Sequence, residues 1–246
     1  MKPVDRIEES RTVRLGDAEV NFRLRRSVRR RSVSLHIDER GLTVSVPWRC
    51  SEQRVLTALR EAEQWVLKRL AAWTQQRPAP LTWRTGETLQ YLGRPLTLEV
   101  ALSAGRPRAA RLHDRLLITV PDPAHAPSVQ KVGVKWLRAA ALDAFTEHAA
   151  RLAPSMGVAA PRIFLSSART RWGSCNSDGS IRLNWRLVQA HEALIEYVVV
   201  HELAHFHEMN HGPRFWGHVV RVCPDHRARR AELNEVGRRL LLMPVP

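Results

Sequence analysis

Short runs of alternating apolar and polar residues fill the first 50 positions. Residues 12–15, 20–24, 32–37 and 42–46 alternate with the period of half-buried strands, and Gly16-Asp17 and Glu39-Arg40-Gly41 separate them as turns. Ser51 then reads as an N-cap. Val55, Leu59, Ala62, Val66 and Trp73 follow at helical spacing, predicting one amphipathic helix that ends near Gln76, before Pro78 and Pro80. A second β stretch is expected over 88–92, 96–102 and 116–120, with turns at Gly93 and at 105–107. A long helical pattern runs from about 129 to 152 and ends at Pro154 and Gly157. Leu42-Thr-Val-Ser-Val-Pro47 and Leu116-Leu-Ile-Thr-Val-Pro121 are alike, and each precedes a helix containing Trp, which suggests a degenerate strands-then-helix repeat.

From Arg162 the pattern changes. Residues 163–166 and 170–174 are strand-like, and Asn176-Ser-Asp-Gly179 leads into 181–185 as a hairpin. Residues 191–209 hold a long apolar run that predicts a buried helix, followed by helical segments at 214–222 and 227–241. The fold class expected is α+β. A β-rich N-terminal region with two helices (1–155) precedes a domain (156–246) in which a hairpin and helices carry the chemistry.

The 246 residues are 44% hydrophobic and 26% charged, a globular balance that excludes wholesale disorder. No stretch approaches the ~18 apolar residues of a membrane helix, so no membrane span is expected. The N-terminal residues lack an apolar signal core, and the three cysteines (Cys50, Cys175, Cys223) are far apart and odd in number. Both features point to the reducing cytoplasm. The net charge of +15 comes from 39 Lys+Arg against 24 Asp+Glu, and it favours anionic partners such as nucleic acid or nucleotides. Arg23, Arg25, Arg26, Arg29, Arg30 and Arg31 form the densest cluster, to be read either as a basic patch or as a solvated hairpin surface.

The chemistry concentrates in His201-Glu202-Leu203-Ala204-His205. Residues four apart share a helix face, so both imidazoles reach one ion, while Glu202, rotated by about 100°, stands beside the first ligand. This is the HExxH logic of two nitrogen ligands and one base that readies a water. With 11 histidines in the chain, the pattern arises by chance on the order of a few per cent of the time, so a third ligand is needed for support. His211 supplies it, provided that the helix breaks first, and Asn210, Gly212 and Pro213 are residue types that let the chain turn back. His207, His218 and Glu208 compete for the third position, and Cys223-Pro-Asp-His226 is metal-like but lacks a partner pair. Cys175 reads as a small strand residue, and Tyr197 as core or as an oxyanion donor.

Arg171-Trp-Gly-Ser-Cys175, Leu183-Asn-Trp185, Tyr197-Val-Val-Val-His-Glu-Leu-Ala-His205 and Asn210-His-Gly-Pro-Arg-Phe-Trp216 together resemble the YgjP-like metal-dependent hydrolases, relatives of the SprT-like and Wss1-like zinc metalloproteases. The resemblance implies a zincin-like domain whose HExxH helix packs on a small sheet. The metal ligands fall on His201, His205 and His211, and the catalytic glutamate on Glu202. It also implies one zinc ion (Zn2+), with nickel, cobalt or iron as alternatives. The edge strand holding Arg171, Trp172, Gly173 and Ser174 would bind an extended peptide substrate, although core packing is the other reading of Trp172 and Trp216. The activity implied is peptide-bond hydrolysis with Glu202 as general base. The alternatives are metal-dependent nucleotide pyrophosphatase activity and a nucleic-acid-associated binding protein with a basic surface.

Overall fold

The computed structural model describes residues 6–38, 41–76, 81–168 and 170–240. The chain divides into two compact units, Met1–Pro78 and Ala79–Pro246, each with its own apolar core.

In the first unit, β1 (Arg6–Leu15) and β2 (Ala18–Ser27) form an antiparallel hairpin, as do β3 (Ser34–Asp38) and β4 (Gly41–Pro47). β4 lies parallel to β2, so the strand order is β1-β2-β4-β3. Alternation puts Val20, Phe22 and Leu24 on one face of β2, where they join Leu42, Val44 and Val46 of β4 in the core. Val55 and Leu59 of α1 (Glu52–Glu61) and Val66 of α2 (Glu63–Gln76) complete that core. Ser51 caps α1 by accepting the Arg54 N–H at 3.4 Å. The single helix expected here is broken at Ala62, whose ψ of 9° leaves the helical basin. Bonds from Ala62 N–H to Ala58 O (3.2 Å) and from Val66 N–H to Ala62 O (2.8 Å) bridge the break, so the apolar stripe continues across it. The Trp73 side chain, Glu39-Arg40, Pro78 and Pro80 lie outside the described residues.

The second unit opens with the same topology. β5 (Thr88–Tyr91), β6 (Arg94–Leu102), β7 (Arg108–Leu112) and β8 (Arg115–Val120) take the order β5-β6-β8-β7, with a central parallel pair and antiparallel outer pairs. The two similar Leu…Val-Pro segments therefore occupy the same place in two sheets, at β4 and β8. β7 has no counterpart in the expected elements, because its exposed Arg-Ala-Ala-Arg-Leu sequence shows no apolar alternation.

α3 (Ala126–Met156) buries Leu137, Ala141, Phe145 and Ala149 at four-residue spacing. These residues belong to one core with Leu98, Leu116 and Ile118 of the sheet and with Leu194 and Val198 of α4 (Glu192–Ala204). That core runs without interruption across the boundary expected at 155/156. The compact units divide at 78/79, because α3 has no separate core to share with the N-terminal strands alone.

A three-stranded sheet follows, with β11 (Ser180–Asn184) between parallel β9 (Arg162–Ser166) and antiparallel β10 (Gly173–Cys175), so β10 is an edge. After a 3-10 turn at Trp185–Gln189 come α4, α5 (Pro213–Val222) and α6 (His226–Leu240). The unit is α+β, with the HExxH helix packed on a small sheet. α4 is apolar on nearly all sides, as befits a helix surrounded by protein. No described helix is long and apolar enough to cross a membrane.

The N-terminus of α4 is pinned from β5–β6. Leu92 N–H donates to Val188 O at 2.7 Å, and Gly93 (φ 75°) lies so close that a Cβ there would come 2.7 Å from His191 Cα. His191 is the N-cap, its Nδ1 accepting the Ala193 N–H at 3.3 Å. Gly93→Ala adds both a left-handed-region penalty and a clash with backbone. It should cost about 2–4 kcal/mol of unfolding free energy, read from the denaturant midpoint at unchanged slope.

Candidate metal centre

α4 ends at Ala204 rather than running on to residue 209, and His205 (φ −66°, ψ −16°) is its C-cap. Tightened bonds from His205 N–H to Glu202 O (3.3 Å) and from Phe206 N–H to Leu203 O (3.1 Å) close the last turn. The His205 ring then pairs its Nδ1 with the Glu208 carbonyl at 3.2 Å. This bond holds the returning chain and leaves Nε2 of His205 for another partner. Gly212 N–H donates to Asn210 O at 2.7 Å, and Pro213 opens α5 at a position where a missing N–H costs nothing. The chain has thereby folded His211 back over the end of α4.

His201, His205 and His211 each offer one ring nitrogen within 4.8 Å of the others. Nε2 of His211 lies 3.1 Å from Nε2 of His201, near the edge of about 3.3 Å expected between nitrogens of a tetrahedral site with ligand bonds of about 2.0–2.1 Å. Nδ1 of His201 is buried with no hydrogen-bond partner among the described residues. Burial pushes the His201 imidazole down to about 3, helped by His205, His211 and Arg230, and burial also lowers His205. Three ring nitrogens converging this closely, two of them on imidazoles whose charged form burial disfavours, are a donor set for a divalent cation, and the residues present fit one. Phe215, fully buried, packs its ring 4.9, 4.7 and 4.6 Å from the rings of His201, His205 and His211, forming an apolar floor. Trp216 Nε1 donates to the His211 carbonyl at 3.1 Å and fixes the third imidazole through its backbone.

Glu202 is 4% exposed. Burial raises its carboxyl to about 7, against the opposing pull of Arg171 and of the Cys175 backbone N–H. It lies directly on Gly173 of β10, where a Cβ would come within 2.7 Å of Glu202 Cγ. Trp172 O and Asn176 N–H bond to β11, so alternation turns the backbone groups of Gly173 and Cys175 to the outer edge, beside Glu202.

Of the other residues singled out in the sequence, Arg171 is exposed and reaches Glu202 electrostatically, while Ser174 pairs across to Arg182. Trp172 is half-buried against Gly237 of α6, in keeping with its core reading. His207 bonds the Met156 carbonyl at 2.8 Å and stacks on His218 at 4.4 Å, so neither joins the three imidazoles. Glu208 contributes its main-chain carbonyl, and its carboxylate accepts the Asn210 N–H. His226 stacks on Trp216, and the Cys223 thiol faces Asp225. Burial raises the Cys175 thiol and the Tyr197 hydroxyl. Phe215 and the Glu208 carbonyl were not foreseen as parts of the site. Phe215 sits inside the Gly-Pro-Arg-Phe-Trp run, but its sequence gives no sign of which surface the ring covers. In the first unit, the arginine cluster is partly neutralised internally, with Arg23 and Arg25 on Glu8, and Arg11 on Glu9 and Glu52.

A helix-borne HExxH packed on an edge strand, with a third imidazole returned by a loop, is the arrangement of a metal-dependent hydrolase. The chain matches the YgjP-like metallopeptidase domain model over residues 31–236 and belongs to that family. No curated protein matches it significantly. Among solved structures, the crystal structure of the metallopeptidase zymogen of Pyrococcus abyssi abylysin is similar at 24% identity, over 39% of this chain and 92% of that one, with a TM-score of 0.33.

His211→Ala should abolish stoichiometric binding of a divalent transition metal in a competition titration. Trp216→Phe, which keeps an aromatic ring but loses the indole N–H, should weaken affinity about 10–100-fold.

Proposed function

We propose that this chain is a zinc-dependent peptidase, with His201, His205 and His211 as ligands and Glu202 as general base. The observation that supports this most is the placement of Glu202. Its carboxylate lies against Gly173 at the outer edge of β10, on the helix whose end carries two of the three imidazoles. No strand pairs with that outer edge among the described residues, so an extended peptide can add to it through the Gly173 backbone. The scissile amide then lies beside Glu202.

Zinc held by His201, His205 and His211 would supply a Lewis acid that polarises a carbonyl and brings a water's pKa towards ~7. Nitrogen-only sets also accept cobalt or nickel, and zinc is preferred for a tetrahedral site. Glu202 takes a proton from the attacking water as its oxygen bonds the carbonyl carbon. It passes that proton to the amide nitrogen as the C–N bond breaks, leaving a carboxyl and a free amine. Phe215 keeps the lower side of the centre dry, and Gly173 lets the peptide and Glu202 share one narrow space. All three cysteines are free, in keeping with work in the reducing cytoplasm.

Glu202→Gln should lower kcat/KM for peptide hydrolysis about 10²–10⁴-fold at unchanged metal content, and chelation should abolish turnover until zinc is returned. Wild-type turnover in Glu202→Gln would contradict the role given to the carboxylate. Gly173→Ala, whose methyl displaces Glu202 from the strand edge, should lower kcat at least about tenfold while leaving metal affinity within about twofold, as separate titrations would show.

A further inference from the structure

Acidic groups near the centre are already engaged. Asp178 pairs with Arg162 at 3.6 Å and accepts the Ser180 hydroxyl at 2.6 Å, and Glu208 accepts the Asn210 N–H at 3.2 Å. Two exposed arginines border the site. Arg171 is exposed and immediately precedes Trp172 and Gly173. Arg230 of α6 is exposed too, with its guanidinium carbon 5.8 Å over the Trp216 ring.

Arg230 is held in place by one of the site's own aromatics. Trp216 bonds the His211 carbonyl, and its ring lies 5.9 Å from His201. Trp172 packs against Gly237, seven residues beyond Arg230 and so on the same face of α6. One face of α6 thus backs both tryptophans, with the Arg230 guanidinium over Trp216 and exposed Arg171 directly before Trp172. An apolar floor and two exposed guanidiniums at the rim bias the potential positive for any chain laid along β10.

We infer that Arg171 and Arg230 are specificity-determining residues that receive carboxylate side chains flanking the scissile bond, making acidic peptides the preferred substrates. This rests on the peptidase reading above. A guanidinium suits a carboxylate through two parallel N–H···O bonds, and the same fork would take a phosphate. The free edge of β10 favours the peptide carboxylate.

The test compares kcat/KM of the zinc-loaded full chain on synthetic peptides of one sequence, with Glu, Gln or Lys at the positions flanking the cleaved bond. Nucleoside triphosphates form a separate arm. The expected result is an acidic-over-basic preference of at least about fivefold at low salt that shrinks as salt is added. The double variant Arg171→Glu/Arg230→Glu should invert that preference at unchanged metal content, whereas Arg230→Lys should retain its sign. Equal cleavage of all three peptides, or a preference indifferent to charge reversal, overturns the inference and leaves the peptidase reading standing. Hydrolysis of nucleotides with no peptide cleaved overturns both.

Discussion

A carboxylate kept out of water at the end of an apolar helix is the constraint that shapes the second unit. Burying an acid in such surroundings costs several kcal/mol unless it finds partners or gives up its charge. Glu202 does some of each. Its proton affinity is raised by burial, while the Cys175 N–H and the Arg171 guanidinium favour the ion. The absence of a side chain at Gly173 is what lets helix and strand approach closely enough for this, since any Cβ would occupy the space of the carboxylate. The base is therefore positioned by the meeting of α4 with an edge strand, and the rest of the unit serves to hold those two elements together.

The same logic explains why the chain turns so abruptly after Ala204. A helix continued through residue 209 would carry His211 past His205 and rotate it away. Termination at His205, with that ring's Nδ1 on the Glu208 carbonyl, converts a helix end into a hinge that brings the third imidazole back. Trp216 and Phe215, on the first turn of α5, fix the returned segment from behind. Two imidazoles on α4 and one on a loop thus become a rigid set because each is braced by backbone or by packing, in line with the precision a metal site demands of its supporting residues.

Much of this was legible in the sequence because it depends on spacing. The i, i+4 histidines, the base between them and the Gly-Pro break before α5 all follow from helix geometry, as do the alternating strands β2, β4, β6 and β8. What escaped depends on tertiary context. β7 is an exposed edge whose Arg and Ala residues carry no period, and α4 stops inside a run that pattern alone would continue. Phe215 is apolar in any reading, and only packing assigns it to the underside of the three rings. The boundary at 78/79 was hidden because α3 is one long helix whose buried face is shared with both the sheet before it and α4 after it. The repeated topology of the two four-stranded sheets showed in the sequence only as the resemblance between β4 and β8, their parallel central strands.

The account stands or falls on whether one ion sits among these three rings beside Glu202. Diffraction from crystals of natively purified protein, recorded on both sides of the zinc absorption edge, tests this most directly. The account predicts a single anomalous peak bonded to ring nitrogens of His201, His205 and His211, with the Glu202 carboxylate next to it but outside the ligand shell. A peak held by other residues, or Glu202 turned away from the strand edge in the metal-loaded protein, would contradict it.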